Sequence, residues 1–227
     1  MKLSIIMPFY NEKATLSKII NSVLNLDLNL EIIAINDGST DGSEKLVETL
    51  CKTDGRLALF HHKNNMGKGA AIRTGIPHCT GDIITIQDAD LETNPQNLIY
   101  LIKPIVEKET KVLYGSRVLG YKGKTNSVYY YGGRLVTLIC NLLYNQRLTD
   151  EATCYKLFDA ALLKSIPLNC MGFEFCPEVT AKVSKRGIKI KELPMDYYPR
   201  SKKDGKKLSW TDGLVAVWVL IKYRFVN

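Results

Sequence analysis

Ile83-Ile84-Thr85-Ile86-Gln87-Asp88-Ala89-Asp90-Leu91-Glu92 passes from an apolar, β-branched run into three carboxylates. Runs of this kind and length read as buried strands. In an extended segment, side chains at i, i+2 and i+4 point the same way. Asp88, Asp90 and Glu92 therefore converge if the backbone stays extended past the strand end. Three like charges held close raise one another's pKa. A divalent cation relieves that repulsion, and Mg2+ or Mn2+ takes oxygen ligands together with substrate phosphates. The same residues also fit a polar loop closing a strand, since Asp-x-Asp is a common pattern. The flanking sequence decides between the two.

Three further strands precede this one: Leu3–Met7, Glu31–Ile35 and Leu57–Phe60. Between them lie helix patterns. Residues 13–25 put Leu16, Ile19, Ile20, Val23 and Leu24 on one face, with Asn11 as the expected N-cap. Asp41 and Glu44 have the spacing of a capping box at the start of the second helix. Met66-Gly67-Lys68-Gly69-Ala70-Ala71 opens a third, and Asn94-Pro95 a fourth. This βα alternation predicts a mainly parallel sheet covered by helices. Ligands bind such sheets beyond the carboxyl ends of the strands. The polar loops after the four strands thus gather on one edge. There the carboxylates meet Asp37, a possible base or ribose acceptor, and Lys68, whose flanking glycines let backbone N–H groups approach phosphate.

Farther along, Val112–Tyr114 is a fifth strand, ending in Gly115-Ser116-Arg117. Residues 118–127 read as a mobile glycine- and lysine-containing segment, and 128–144 as an apolar helix carrying Tyr129, Tyr130 and Tyr131. Residues 149–158 read as a polar turn entering a strand. Phe173–Lys185 is a helix whose Glu174 and Glu178 face either the site or solvent. Ile188–Leu193 is the last strand, and Ser209–Phe225 a last helix.

The 227 residues suffice for one large domain with an appendage, and 45% hydrophobic with 24% charged content is ordinary for a globular protein. Residues 182–227 hold 12 Lys/Arg against 4 Asp/Glu, while the preceding residues balance at 19 of each. The whole excess of +8 thus sits at one end, which calls for an anionic partner such as a phosphate substrate, nucleic acid or membrane. The six cysteines form no C-x-x-C pair, which argues against a zinc ribbon or redox motif and for free thiols in a reducing compartment. His61, His62 and His78 lack ligand-like spacing. No apolar stretch reaches a membrane span, and no signal peptide is expected.

Taken in order, Ser4–Glu12, Asn36–Gly42, Asn65–Gly69, Asp88–Glu92, Gly115–Arg117 and Thr149-Asp150 resemble the family 2 glycosyltransferases, above all the dolichyl- and polyprenyl-phosphate hexose synthases. The likeness runs over about 200 residues. It implies the α/β nucleotide-sugar fold called GT-A, over residues 1–199, with 200–227 as a basic loop and amphipathic helix. It implies a nucleoside pocket of Pro8, Tyr10, Glu12 and Asp37. Asp88 and Ala89 would touch the nucleotide-sugar. Asp90 would ligate the metal directly, and Glu92 stands where many relatives carry a glutamine ligand. Arg117 resembles an arginine that meets the donor. Arg200 and Lys206 match a phosphate-clamping pair six residues apart. Around Asp150 the likeness loosens: Thr153-Cys154-Tyr155-Lys156 replaces a common Ser-Gly-Phe-Arg.

The implied reaction is inverting, metal-dependent transfer of a hexose from UDP-glucose or GDP-mannose to a polyprenyl phosphate. Asp150 would position an acceptor that is already anionic; for a saccharide hydroxyl, the rival acceptor, it would have to act as base. Helices 128–144 and 209–225 suit in-plane contact with a membrane, helped by Arg200, Lys202, Lys203, Lys206 and Lys207. The expected attachment is peripheral, at the cytoplasmic face, with no nucleic-acid partner. A non-enzymatic basic module would leave the ordered acidic and glycine loops without a role.

Overall fold

A computed structural model of the chain describes residues 1–120, 128–199 and 210–226. Among them the order is β1 (Leu3–Phe9), α1 (Lys13–Leu24), β2 (Leu30–Asn36), α2 (Ser43–Cys51), β3 (Leu57–His61), α3 (Lys68–Gly75), β4 (Ile83–Ile86), α4 (Leu98–Leu101), α5 (Lys103–Val106), β5 (Val112–Ser116), α6 (Arg117–Gly120), α7 (Val128–Tyr144), β6 (Lys156–Asp159), α8 (Ala160–Lys164), α9 (Phe175–Lys185), β7 (Lys191–Pro194) and α10 (Trp210–Phe225). The first five strands start within one residue of where the apolar runs predict. The last begins three residues later than expected. The segment expected to be mobile falls mostly on residues 121–127, outside the described residues.

The strands form one sheet in the order β3-β2-β1-β4-β6-β5-β7. All pairs are parallel except those of β6, which runs antiparallel to both β4 and β5. Alternation along each strand sends side chains to two cores. Ile6, Ile33, Ile35, Ile84, Ile86, Tyr114 and Phe158 face one, closed by α3, α7, α9 and α10. Ile5, Met7, Ile32, Ala34, Ile83, Leu113 and Leu157 face the other, closed by α1, α4 and α5. Burial on both faces explains why these strands read as unbroken apolar runs. In α1 the buried set is Leu16, Ile19, Ile20, Val23 and Leu24, the face its periodicity predicts.

Two helix starts depart from expectation. Asn11 does not cap α1. It adopts a left-handed φ of 53°, and its Oδ1 accepts from the Thr40 N–H at 2.8 Å. The first N–H of α1, on Lys13, instead donates to Asp41 Oδ2 at 3.0 Å. Glu44 forms no capping box with Asp41; it accepts from Asn36 and pairs with His61. The physical reason is topological. Parallel neighbours β1 and β2 release their loops side by side, so Asp41 serves both helices: Oδ2 takes the Lys13 N–H of α1 while Oδ1 takes the Ser43 N–H of its own α2 at 2.9 Å.

At the opposite edge, Glu31 is the knot. It accepts from Lys2 Nζ at 2.7 Å, Ser4 Oγ at 2.6 Å and the Thr80 N–H at 2.6 Å. Burial alone would raise its carboxyl, but these donors outweigh burial and bring it down to about 2. A depressed carboxylate stabilises the fold above its unfolded pKa and loses that contribution as pH falls through the folded one. Glu31→Gln should therefore cost about 2 kcal/mol at pH 7. In thermal melts, the deficit should shrink between pH 4 and pH 2; an unchanged gap at pH 2 would contradict the assignment.

Candidate active site

Pro8 lies buried near the end of β1, with Tyr10 and Glu12 half-buried just beyond. Glu12 donates its N–H to Ser43 Oγ at 3.2 Å, lacing this loop to the one after β2. Asp37 is buried and already engaged. Its Oδ1 accepts from the Met66 N–H at 2.9 Å and sits 2.7 Å from His62 Nδ1. Its Oδ2 accepts from the Gly67 N–H at 2.8 Å. A carboxylate has about four acceptor positions, so one remains for a ligand donor. Asp37 thus organises the glycine loop first. His62 is structural, its Nε2 2.8 Å from Thr74 Oγ1, and His78 stacks on Phe60.

The glycines around Lys68 do not leave their backbone open to phosphate as expected. A Cβ on Gly67 would lie 2.3 Å from the Met171 carbonyl oxygen, and one on Gly69 would lie 2.8 Å from that of Gly172. The Ala70 N–H already donates to Met171 at 3.0 Å. The clearance is taken by residues 170–172 of the chain itself. Glu174 and Glu178, expected to face the site or solvent, do neither. Glu174 accepts from the N–H groups of Met171 and Gly172, and Glu178 from those of Asn169 and Cys170. Lys68 reaches forward instead, its Nζ within 2.8 Å of both Asp88 oxygens. Burial would lower this ammonium, but the Asp88 charge outweighs it and raises it.

Past Gln87 the chain turns rather than staying extended. Leu91 has φ 62°, and the Glu92 N–H donates to Asp90 Oδ1 at 3.1 Å. Alternation therefore does not bring Asp88, Asp90 and Glu92 together. Among the described residues, the one trio of ligand atoms gathered within 4.8 Å is Glu44, Glu48 and His61, on α2 and β3. Buried Gln87 holds the acidic turn from beneath. Its Nε2 donates to the Asp88 carbonyl at 2.9 Å and Thr93 Oγ1 at 3.0 Å, and its Oε1 accepts from Tyr155 at 2.5 Å. Ala89 is buried against this turn. The donor set is all carboxylate oxygen, and Asp88 already takes a cation, the Lys68 ammonium. Such a set fits a hard ion like Mg2+ or Mn2+ better than a soft one.

Glu92 connects the turn to Arg117 and Asp150. It accepts from the Tyr197 hydroxyl at 2.7 Å, and the Tyr197 ring lies 5.2 Å below the Arg117 guanidinium. Arg117 gives its N–H and Nε to Asp150 Oδ2, at 2.9 and 2.7 Å, and Nη2 to Oδ1 at 2.8 Å. Burial would raise the Asp150 carboxyl, but Arg117 more than compensates and holds it below the usual range. Asp150 precedes its strand, whereas the acidic and glycine loops follow theirs. The reversal of β6 is what brings it to the same edge.

Beneath Asp150 lies a buried pair. The Lys156 ammonium sits 3.8 Å over the Tyr114 ring and donates to the Glu151 carbonyl. Glu151 Oε1 accepts from Thr180 at 2.9 Å, while its buried Oε2 has no hydrogen-bond partner. Burial pushes this carboxyl up, opposite to its neighbour Asp150. Tyr155 and Lys156, the departures from the family pattern, thus brace the site from inside. Arg200 and Lys206, with Lys202, Lys203 and Lys207, lie outside the described residues.

Gln87, Tyr197 and Glu192 were not singled out from sequence. For Glu192 there is a signal, an acid where the alternation of Ile188 and Ile190 calls for an apolar residue. For Gln87 and Tyr197 the partners are too distant along the chain. Tyr155→Phe should leave the buried Gln87 oxygen unpaired and cost about 1–3 kcal/mol. It should also speed amide exchange at residues 88–93, measured by hydrogen–deuterium exchange; unaltered protection there would remove the bracing role.

The family model for Glycosyl transferase family 2 matches residues 4–166. A dolichyl-phosphate beta-glucosyltransferase, ALG5A, of Trichomonas vaginalis is 29% identical over 235 residues, spanning 97% of this chain and 72% of the relative. A UDP-N-acetylglucosamine–dolichyl-phosphate N-acetylglucosaminyltransferase of Methanococcus voltae is 26% identical over 210 residues, spanning 84% and 83%. Among solved structures, mannosyl-3-phosphoglycerate synthase from Rubrobacter xylanophilus aligns at TM-score 0.76 with 18% identity, over 100% of this chain and 74% of that one. Glucosyl-3-phosphoglycerate synthase from Mycobacterium tuberculosis, in complex with Mn2+, UDP-glucose and phosphoglyceric acid, aligns at 0.71 with 19% identity, over 100% and 80%. At these identities the structural likeness speaks for the fold.

Proposed function

The chain belongs to glycosyl transferase family 2 and is a glycosyltransferase with the GT-A fold, and from that footing we propose that it transfers a hexose from a nucleoside-diphosphate sugar to a polyprenyl phosphate. The observation that carries this reading is the Asp150–Arg117 pair. An Asp150 held ionised by three hydrogen bonds from Arg117 is a poor proton acceptor. A hydroxyl nucleophile needs a base, whereas a phosphate monoester arrives already deprotonated. The two relatives named for dolichyl-phosphate transfer support the same acceptor class.

In this reading Pro8, Tyr10, Glu12 and Asp37 receive the nucleoside. Asp90 would hold Mg2+ or Mn2+, with Asp88 and Glu92 joining it on exchanging Lys68 and Tyr197 for the ion, which when bound supplies Lewis-acid stabilisation of charge on the departing diphosphate. Lys68 orients Asp88. Arg117 keeps donor N–H groups beyond those given to Asp150 and offers them to the donor phosphates. Arg200 and Lys206 clamp phosphate from the C-terminal segment. An acceptor phosphate oxygen attacks the anomeric carbon as its bond to the diphosphate breaks, so an α-linked donor yields a β-linked product.

A membrane leaflet supplies the lipid in the same reading. The expected amphipathic character of α10 holds only in part, since both of its faces are apolar. Val219, Leu220 and Tyr223 are buried against the domain, while Leu214, Trp218, Ile221 and Phe225 are exposed, Phe225 by 82%. Exposed Tyr131, Leu135, Leu138 and Leu142 form one row on neighbouring α7. Among the described residues no helix is long and apolar enough to cross a membrane. Two apolar rows with Lys222 and Arg224 at the end of α10 fit an anionic, in-plane docking surface.

The direct experiment is incubation with UDP-glucose, GDP-mannose and related donors plus a polyprenyl phosphate and a saccharide acceptor, reading products by mass. A hexosyl-phosphoryl-polyprenol is expected; a glycosylated saccharide instead would overturn the acceptor assignment. Asp90→Asn should cut Mn2+-dependent turnover by a factor of about 100 or more with its melting temperature retained, and full turnover would remove the metal role. Leu142→Glu combined with Phe225→Glu should lower flotation with vesicles containing phosphatidylserine. If binding persists and the wild type elutes as a dimer, a second copy covers that face.

A further inference from the structure

On β7, in register with Tyr114 of β5, Glu192 points its carboxylate at the turn before β6. Its Oε2 accepts the Thr149 N–H at 2.6 Å and the Thr149 hydroxyl at 2.9 Å, and its Oε1 accepts the Asp150 N–H at 2.9 Å. We propose that Glu192 is a positioning residue that fixes the Thr149–Asp150 turn, and through it the Asp150–Arg117 pair, in the geometry that transfer requires. The proposal rests on the roles given to Asp150 and Arg117 under the proposed function.

Three features argue against simple loop anchoring. First, three donors converge on one side chain, and only a carboxylate presents two acceptor oxygens to them. A glutamine would turn an NH2 toward an N–H. Second, the placement is electrostatically unfavourable in itself. Glu192 sits against Asp150, and burial together with that like charge pushes its carboxyl up despite the N–H donors. Asp150 is held down by Arg117, so the two neighbouring carboxylates sit in environments that diverge. Third, the division of labour is complete. Arg117 supplies the hydrogen bonds to the Asp150 side chain, while Glu192 takes the Asp150 main-chain N–H. The hydroxyls of Ser116 and Thr149, 2.6 Å apart, tie the turn to the end of β5 just before Arg117. Moving Glu192 therefore moves the guanidinium, and with it the contact to Tyr197 and Glu92.

The test compares wild type with Glu192→Gln, using Glu192→Asp as a second variant should the first fold poorly. A misplacement of about 1 Å at a reacting centre costs on the order of 100-fold, so kcat per folded molecule should fall 10- to 100-fold. The dissociation constant for the free nucleoside of the donor, which carries no phosphate for Arg117 to meet, should stay within about twofold by calorimetry. The Nε–H resonance of Arg117, assigned through its loss in Arg117→Lys, should shift or broaden in the Glu192 variants without any substrate present. Unchanged kcat, or a fall that merely tracks the unfolded fraction with the Arg117 resonance in place, overturns the proposal. If the wild type glycosylates a saccharide but no lipid phosphate, the acceptor assignment fails. The Arg117 resonance then still decides the role of Glu192.

Discussion

The bidentate contact between Arg117 and Asp150 joins the parts of the candidate site. A buried carboxylate is costly unless its oxygens are filled. Here the filling comes from a residue that ends β5, while the carboxylate comes from the turn that enters β6. The contact, with the Ser116–Thr149 hydroxyl pair beside it, ties the two strand ends together at the sheet edge. From this contact the chain of interactions runs outward in two directions: through Tyr197 to Glu92 and the acidic turn, and through Thr149 to Glu192 on the edge strand. The site is thus a strip of polar contacts laid across the carboxyl ends of the sheet.

The single reversed strand makes that strip possible. In a sheet with every strand parallel, a turn preceding a strand lies on the edge opposite to a turn following one. Asp150 would then stand a strand length away from Asp88 and Asp90. Antiparallel β6 carries its own beginning to the edge where β4 and β5 finish. It also places Tyr155 and Lys156 beneath the site, where one braces Gln87 and the other neutralises the interior beside Glu151.

Much of this was legible in the residues. The two-sided apolar runs gave the strands of the sheet, the 3.6-residue spacing gave the buried face of α1, and the loops that follow strands gave the edge where the site lies. What escaped were interactions whose partners are remote in the chain. Asp41 and Asn11 have the chemistry of local caps, yet Asn11 serves the loop of the neighbouring strand and Asp41 reaches α1 as well as its own helix. Gly67 and Gly69 look like a phosphate cradle, yet residues 170–172 fill the clearance. The acidic turn depends on a left-handed Leu91, which no local preference announces, since leucine rarely adopts that conformation. Glu192 holds a turn that lies 42 residues before it, and Gln87 is fixed by Tyr155, 68 residues on, so the meaning of each appears only when the strands are side by side.

On the proposed membrane docking, the apolar rows on α7 and α10 would change what concentration means for such an enzyme. A protein held against a bilayer through Leu142, Trp218 and Phe225 meets a lipid substrate in the plane of the leaflet. Its velocity then follows the mole fraction of lipid phosphate in that surface, while the sugar donor is still drawn from bulk water. One active site would answer to two reservoirs of different dimensionality, and diluting the bilayer with inert lipid would slow it although no solute had been diluted.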